Sequence, residues 1–202
     1  MVWRRHKNGW RKSSGGVRSW RSLLRDRGAV VAIEMGIVGP PFLLLMVFLT
    51  ELTYDFYAQE ALNYGVAAAA RCVQVGAAQG ANSAATFETS FLCPAVGTLL
   101  PCGSISINIV QLPNGDNYQN YGTVGLPRNA NGKLDTSSFG YTPGTPNTLM
   151  LVQAIYTSPS LVANFVPGFA IASGSTFVHA TMSSAGFMNE NFPITATPPS
   201  TC

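Results

Sequence analysis

With 202 residues, only 10% of them charged and 47% hydrophobic, the chain has room for one membrane anchor and one modest domain, and its charge content is well below the ~25% of soluble domains. The formal net charge of +3 hides an asymmetry: residues 1–27 hold nine Lys and Arg against the single acid Asp26, net +8, and the rest hold three against eight acids, net −5. A soluble enzyme is not what such a profile describes.

Residues 1–28 form the basic arm, in which Trp3, Trp10 and Trp20 are interleaved with Arg and Lys around the flexible stretch Ser13 to Gly16. Basic and aromatic residues together are one signature of nucleic-acid binding. The apolar run that follows favours a membrane reading instead, with no nucleic-acid partner: positive charge beside a span keeps that flank cytoplasmic, and Trp prefers the headgroup zone. The N-terminus is then inside and the C-terminal part outside.

The chain is organised around Arg27 to Thr50. Ala29 to Thr50 is 22 residues, which as a helix reaches ~33 Å and crosses a ~30 Å hydrocarbon core. Residues 29–50 are therefore expected to form a transmembrane helix in contact with membrane lipids. Glu34 is its one acid, and Met35 to Thr50, 16 residues, would span only ~24 Å. Glu34 is thus forced into or just below the apolar slab, where insertion scales charge roughly 2.5–3.5 kcal/mol, so it is a functional candidate in need of a partner. Pro40 and Pro41 should interrupt the helical ladder and kink it. A secretory signal ends its apolar stretch with a small-residue cleavage site. Here the small residue, Gly28, precedes the apolar run, so cutting there removes the charged arm and leaves the helix in place.

From Glu51 to Gly76 the helical pattern continues. Tyr54, Ala58, Ala61, Leu62, Gly65, Ala69, Cys72 and Val73 recur along one face, and Glu51, Asp55, Gln59, Glu60 and Asn63 fill the other. Residues 51–81 read as an amphipathic stalk ended by Gly76 and the small residues after it, with Ala67 to Ala70 suited to close helix packing. Residues 82–202 read as an extracytoplasmic β-rich domain, entered through a linker at Asn82 to Ala85. Ile105, Ile107 and Ile109 alternate with polar residues as a strand; Thr148 to Thr157, apolar on both faces, is a central strand; Thr176 to Met182 is a third, ending near Gly186. Pro113 to Pro146 is a long Asn-, Gly-, Pro-, Ser- and Thr-rich loop. The expected fold class is α+β: a long N-terminal membrane helix running into a stalk, then a small disulfide-stapled head.

All four cysteines fall on the outer side, where an even number favours disulfides. Cys93 and Cys102 flank a short Pro- and Gly-containing loop and are the favoured pair, leaving Cys72 with Cys202. Zinc is the rival; it lacks any CxxC spacing, and His179 is the only outer histidine. No metal or other cofactor is expected. Catalytic constellations such as GxSxG, a P-loop or HExxH are missing from the sequence. His179, between Val178 and Ala180 in a strand, reads as structural, and no catalytic residue is assigned.

The stretch RDRGAVVAIEMGIVGPPFLLLMVFLTELTYDFYAQEALNYGVAAAARCVQVG resembles the amino-terminal signature of TadE-like minor pseudopilins of the tight-adherence (Flp) pilus system: a basic leader ending in Gly, a short apolar stretch to Glu, aliphatics with a Pro pair, a Y-A-Q-x-A-L helix and an A-A-R stretch. The close FMNENFP, Phe187 to Pro193, resembles the R-N-E-P-F type ending of the family with its order altered. The family places four residues between the cut Gly and the Glu, whereas five separate Gly28 from Glu34, so the implied processing site is after Gly28 or after Ala29. The resemblance implies a structural role in assembling an adhesive pilus, in the bacterial inner membrane with the C-terminal domain periplasmic. It also implies a prepilin peptidase, other pseudopilins and the pilus assembly machinery as partners. For Glu34 it implies a specific counter-charge, the amino group of a new N-terminus, its own or a neighbouring subunit's, attracted strongly at low dielectric. The alternatives are an uncleaved single-pass scaffold or sensor, and a membrane-tethered hydrolase dependent on His179.

Overall fold

The computed structural model describes residues 27–97, 100–112, 126–164, 166, 168 and 170–192. The basic arm up to Asp26, much of the long loop and Cys202 lie outside the described residues. The chain divides into two compact units, Met1–Leu45 and Met46–Cys202.

One helix, α1 (Arg27–Gln74), contributes to both units and continues through Pro40 and Pro41. Within the first unit Val30, Met35, Ile37, Leu43 and their apolar neighbours are exposed, and the most apolar 18-residue window of the helix, of mean hydropathy 2.1, has none of its residues buried in protein. A helix apolar all round with no protein cover is suited to lipid, and α1 is long and apolar enough to cross a membrane. Thr50 and Thr53 return their hydroxyls to the carbonyls of Met46 and Leu49 at 2.9 and 2.8 Å, which satisfies these groups within the helix itself.

In the second unit the apolar face of α1 is committed to a core. Ala58, Leu62, Val66, Ala69, Ala70 and Val73 are buried together with Ile105, Ile107, Ile109, Met150, Val152, Ala154 and Tyr156 of the sheet. The helix ends at Gln74; Gly76, at φ 82°, turns the chain into a short 3-10 turn, Ala77–Gly80. Only glycine takes that φ cheaply, and a Cβ there would also run into the Phe192 ring.

The sheet has four antiparallel strands, β1 (Ile105–Gln111), β2 (Leu149–Pro159), β3 (Ile171–Ser173) and β4 (Thr176–Met188), in the order β1-β2-β4-β3. The fold class is α+β. β2 is central, as its two apolar faces predict: Met150 to Tyr156 are all buried. Two expectations need correction. The third strand runs on to Met188, because its residues stay in register with β2 as far as Leu149↔Met188, and the short edge strand β3 was not anticipated. The segment from Ala84 is helical and not a linker. Ser83 caps it by accepting from the backbone N–H of Thr86, and the turns Ala84–Phe87, Glu88–Leu92 and Cys93–Val96 follow one another as helix α2 (84–96), the middle one a π turn. Pro94 explains the π turn, since a proline removes an N–H from the ladder and crowds the carbonyl four residues before it. Phe87, Leu92 and Val96 enter the core, and a disulfide joins Cys93 to Cys102 with Cα atoms 5.7 Å apart.

Candidate functional site

Glu34 in the apolar part of α1, the acids that follow the apolar run, and His179 of β4 all have a defined place. Glu34 is exposed on α1 and has no hydrogen bond or ion pair among the described residues. Gly28 and Ala29 lie in the first turn of the same helix.

The acids at 51 and 55 are not on a solvent face. Glu51, Asp55 and Gln59 succeed one another at four-residue steps and all three bond to the sheet or its flanking turn, which corrects their assignment to the helix face opposite the packed one. Burial and bonding make the difference: Glu60 and Asn63 remain exposed, whereas the other three find partners that no local pattern could show. His179 Nε2 lies 3.4 Å from Glu51 Oε2, and its Nδ1 lies 3.3 Å from Asp55 Oδ2. The histidine and Glu51 side chains are only 11% and 13% exposed. Each ring nitrogen faces a carboxylate of α1, so the imidazole of β4 lies between two acids and ties strand to helix. Glu51 also accepts from the backbone N–H groups of Leu161 and Val162, the latter at 3.1 Å, and from the Ser160 hydroxyl at 3.3 Å. Its carboxylate thereby fixes the turn Val162–Asn164 after β2. Gln59 donates to the carbonyl of Met182 at 3.1 Å, and Tyr54 and Tyr156 share a 2.7 Å hydroxyl bond.

Burial pushes the Asp55 carboxyl above the ordinary carboxylate range; His179 pulls it back down, and the nearby Glu51 charge adds to the rise. A cavity of about 340 Å³ opens beside this cluster, lined by Thr50, Tyr54, Ser158, Pro159 and Leu161 as well as Glu51, Asp55 and His179. The chemistry on offer is that of a latch. A hydrolytic base would need an imidazole nitrogen directed at a hydroxyl, and here both are directed at carboxylates, while Ser160 donates to Glu51 and accepts from the N–H of Ala163.

A second tie joins the far end of α1 to the chain that follows β4. Arg71 Nη1 lies 2.6 Å from Glu190 Oε1, the Glu190 N–H donates to the Gln74 carbonyl at 2.9 Å, and Phe192 packs at Gly76. The A-A-R stretch and the N-E pair of the closing motif, read separately in the sequence, therefore meet. Asn189 is buried and its amide donates to the carbonyls of Pro143 and Thr145, at 3.2 and 3.1 Å, which holds the loop before β2 in place. At the disulfide, the Glu88 carboxylate sits 3.7 Å from Cys102 Sγ. The sulfurs are bonded to each other and offer no thiolate to a metal there. Cys72 is also disulfide-bonded; the expected pairing with Cys202 falls outside the described residues.

Residues 29–71 match the family model described as TadE-like protein. No curated protein and no solved structure matches the chain. The matched segment contains the whole apolar run, Glu34, the latch acids Glu51 and Asp55, and Arg71, and stops before the sheet.

Proposed function

We propose that this chain, whose residues 29–71 carry the TadE-like signature, is a minor pseudopilin-like membrane protein with a structural role in building a tight-adherence pilus. That signature is the observation that carries the reading, and the carboxylate of Glu34, exposed on an apolar helix and without a partner among the described residues, supports it. In this reading residues 1–28 are a cytoplasmic leader removed by a prepilin peptidase, 29–50 the inner-membrane helix, 51–81 the stalk and 82–202 a periplasmic head. The protein works by assembly and not by catalysis. Glu34 meets the amino terminus of a neighbouring pseudopilin, because insertion energetics alone gives no reason to keep a charge there.

The experiment is crosslinking and co-purification of pilus components with wild type and Glu34→Ala, at matched membrane levels. The mutant should reach the membrane as well as wild type and recover several-fold less partner. Equal recovery and normal piliation would show Glu34 to be a tolerated interfacial acid and would remove the assembly role given to it.

A further inference from the structure

The outer edge of β4 is open from Met182 to Met188. The direction of its backbone groups follows from two bonds at its ends: the Ser160 N–H donates to the Phe177 carbonyl at 3.3 Å and the Asn189 N–H to the Thr148 carbonyl at 2.9 Å. Odd-numbered residues of β4 therefore turn their N–H and C=O groups toward β2. Along an antiparallel strand these directions alternate, so Met182, Ser184, Gly186 and Met188 turn theirs away. β3 pairs with β4 only over Thr176 to Val178. Beyond it the Met182 carbonyl accepts from Gln59 at 3.1 Å, and no other bond among the described residues reaches the outward groups of these four. Ser184, Gly186 and Met188 are exposed.

Sheets protect such an edge with charge, proline, a bulge or a covering element. From Ala180 to Asn189 there is no charged residue and no proline, and the register with β2 runs unbroken to Leu149↔Met188. Helix α1 stands beside the edge without closing it. Gln59, which holds the Met182 carbonyl, also donates to Asn63 at 3.0 Å, and past the end of the strand the Glu190 N–H donates to the Gln74 carbonyl. Between these two ties the helix offers Asn63 and Ala67, both exposed. A row of free N–H and C=O groups repeating every second residue, ~6.6 Å, is matched by one kind of ligand, an extended backbone. No side chain beside the row could neutralise a charge brought to it, and burying an unpaired charge is costly. The segment that fits is therefore uncharged where it pairs.

We propose that the β4 edge from Met182 to Met188 takes an uncharged, extended segment of a different subunit of the assembly, added to the sheet as a further strand. Its backbone bonds to the outward groups of Ser184 and Gly186, and its side chains on the helix side lie against Asn63 and Ala67 of α1. The inference rests on the assembly role proposed above, and it gives that role a second contact, in the head and independent of Glu34.

The test is co-purification of pilus components with the full-length chain, at matched membrane levels, for wild type, Ser184→Pro, Ser184→Lys and Glu34→Ala. Proline at 184 deletes an outward N–H that β2 does not use, so Tm should stay within ~4 °C of wild type; Ala185→Pro deletes an N–H facing Val152 and should lose at least ~6 °C. Ser184→Lys keeps the N–H and puts a charge beside the row, so it carries the same test with the backbone unchanged. Both Ser184 variants should recover several-fold less partner than wild type. Recovery equal to wild type from both, with Glu34→Ala still deficient, overturns the added strand and leaves the assembly reading standing. Absence of pilus components from the wild-type preparation overturns the assembly reading and the inference with it. A wild-type chain that is dimeric in detergent by light scattering, and monomeric as Ser184→Pro, would show that a second copy takes the edge and would overturn the assignment to a different subunit.

Discussion

Removing the Glu51 carboxylate should loosen the head from the helix that carries it. Glu51→Ala deletes an acceptor used by two backbone N–H groups, one hydroxyl and the His179 ring. Bonds to a charged acceptor contribute ~1.5–3 kcal/mol each, and removing one partner of a buried ion pair costs ~3–5 kcal/mol. At 13% exposure water re-solvates some of the orphaned donors, so the expected loss is about 3 kcal/mol. For a unit running from Met46 to Cys202, each kcal/mol lowers Tm by ~2–4 °C, which predicts a fall of ~6–12 °C. Glu51→Gln keeps a carbonyl for the N–H groups and loses only the ionic part, so it should fall by roughly half as much. Because the two side chains share one network, Glu51→Ala and His179→Ala should be non-additive by at least ~0.5 kcal/mol. The assay is thermal unfolding of detergent-solubilised full-length protein followed by near-ultraviolet circular dichroism. A Glu51→Ala shift below ~2 °C, or strict additivity with His179→Ala, would refute the latch.

Two further outcomes follow from close approaches and buried hydroxyls. A Cβ at Gly65 would overlap the Val96 side chain on α2 and press on Leu92, so Gly65→Ala should destabilise the head by ~1–3 kcal/mol in chemical denaturation, and Gly36→Ala, which meets nothing, should not. The Tyr141 hydroxyl donates to the Ala78 carbonyl at 2.8 Å, and burial holds its pKa at about 12 against the usual 10. A folded pKa above the unfolded one contributes stability that is complete below pH ~10 and is lost as pH rises toward 12. Alkaline unfolding monitored by tyrosinate absorbance should therefore steepen in that window, and Tyr141→Phe should flatten it.

The helix, its apolar length and the strand centre were legible because each is a local periodicity: an unbroken apolar run, a three-and-four pattern from Ala58 to Val73, and a doubly apolar stretch at β2. The polar stripe Glu51, Asp55 and Gln59 was visible as a stripe, but its direction was not, since its partners lie 109 to 128 residues away along the chain. His179 was visible as a lone polar residue in a strand, yet nothing in Val178 or Ala180 shows which groups it would meet. α2 was missed because its capping residue Ser83 and its helix formers are followed by Pro94, a breaker that the chain accommodates with a π turn. β3 was missed because three residues are too few to show a period. The Arg71–Glu190 contact joins two motifs that each stood out for family resemblance alone; at such exposure it contributes ~1 kcal/mol or less, so its value lies more in positioning than in stability.

Intact-mass measurement of the membrane-purified protein bears most directly on the pseudopilin reading, because the basic arm is a removable leader if that reading holds and a permanent cytoplasmic tail if it does not. In cells with an active prepilin peptidase the predicted product begins at Ala29 or Val30, which makes Glu34 its sixth or fifth residue. A membrane-inserted chain that keeps Met1 or Val2 as its first residue in those cells would contradict the account.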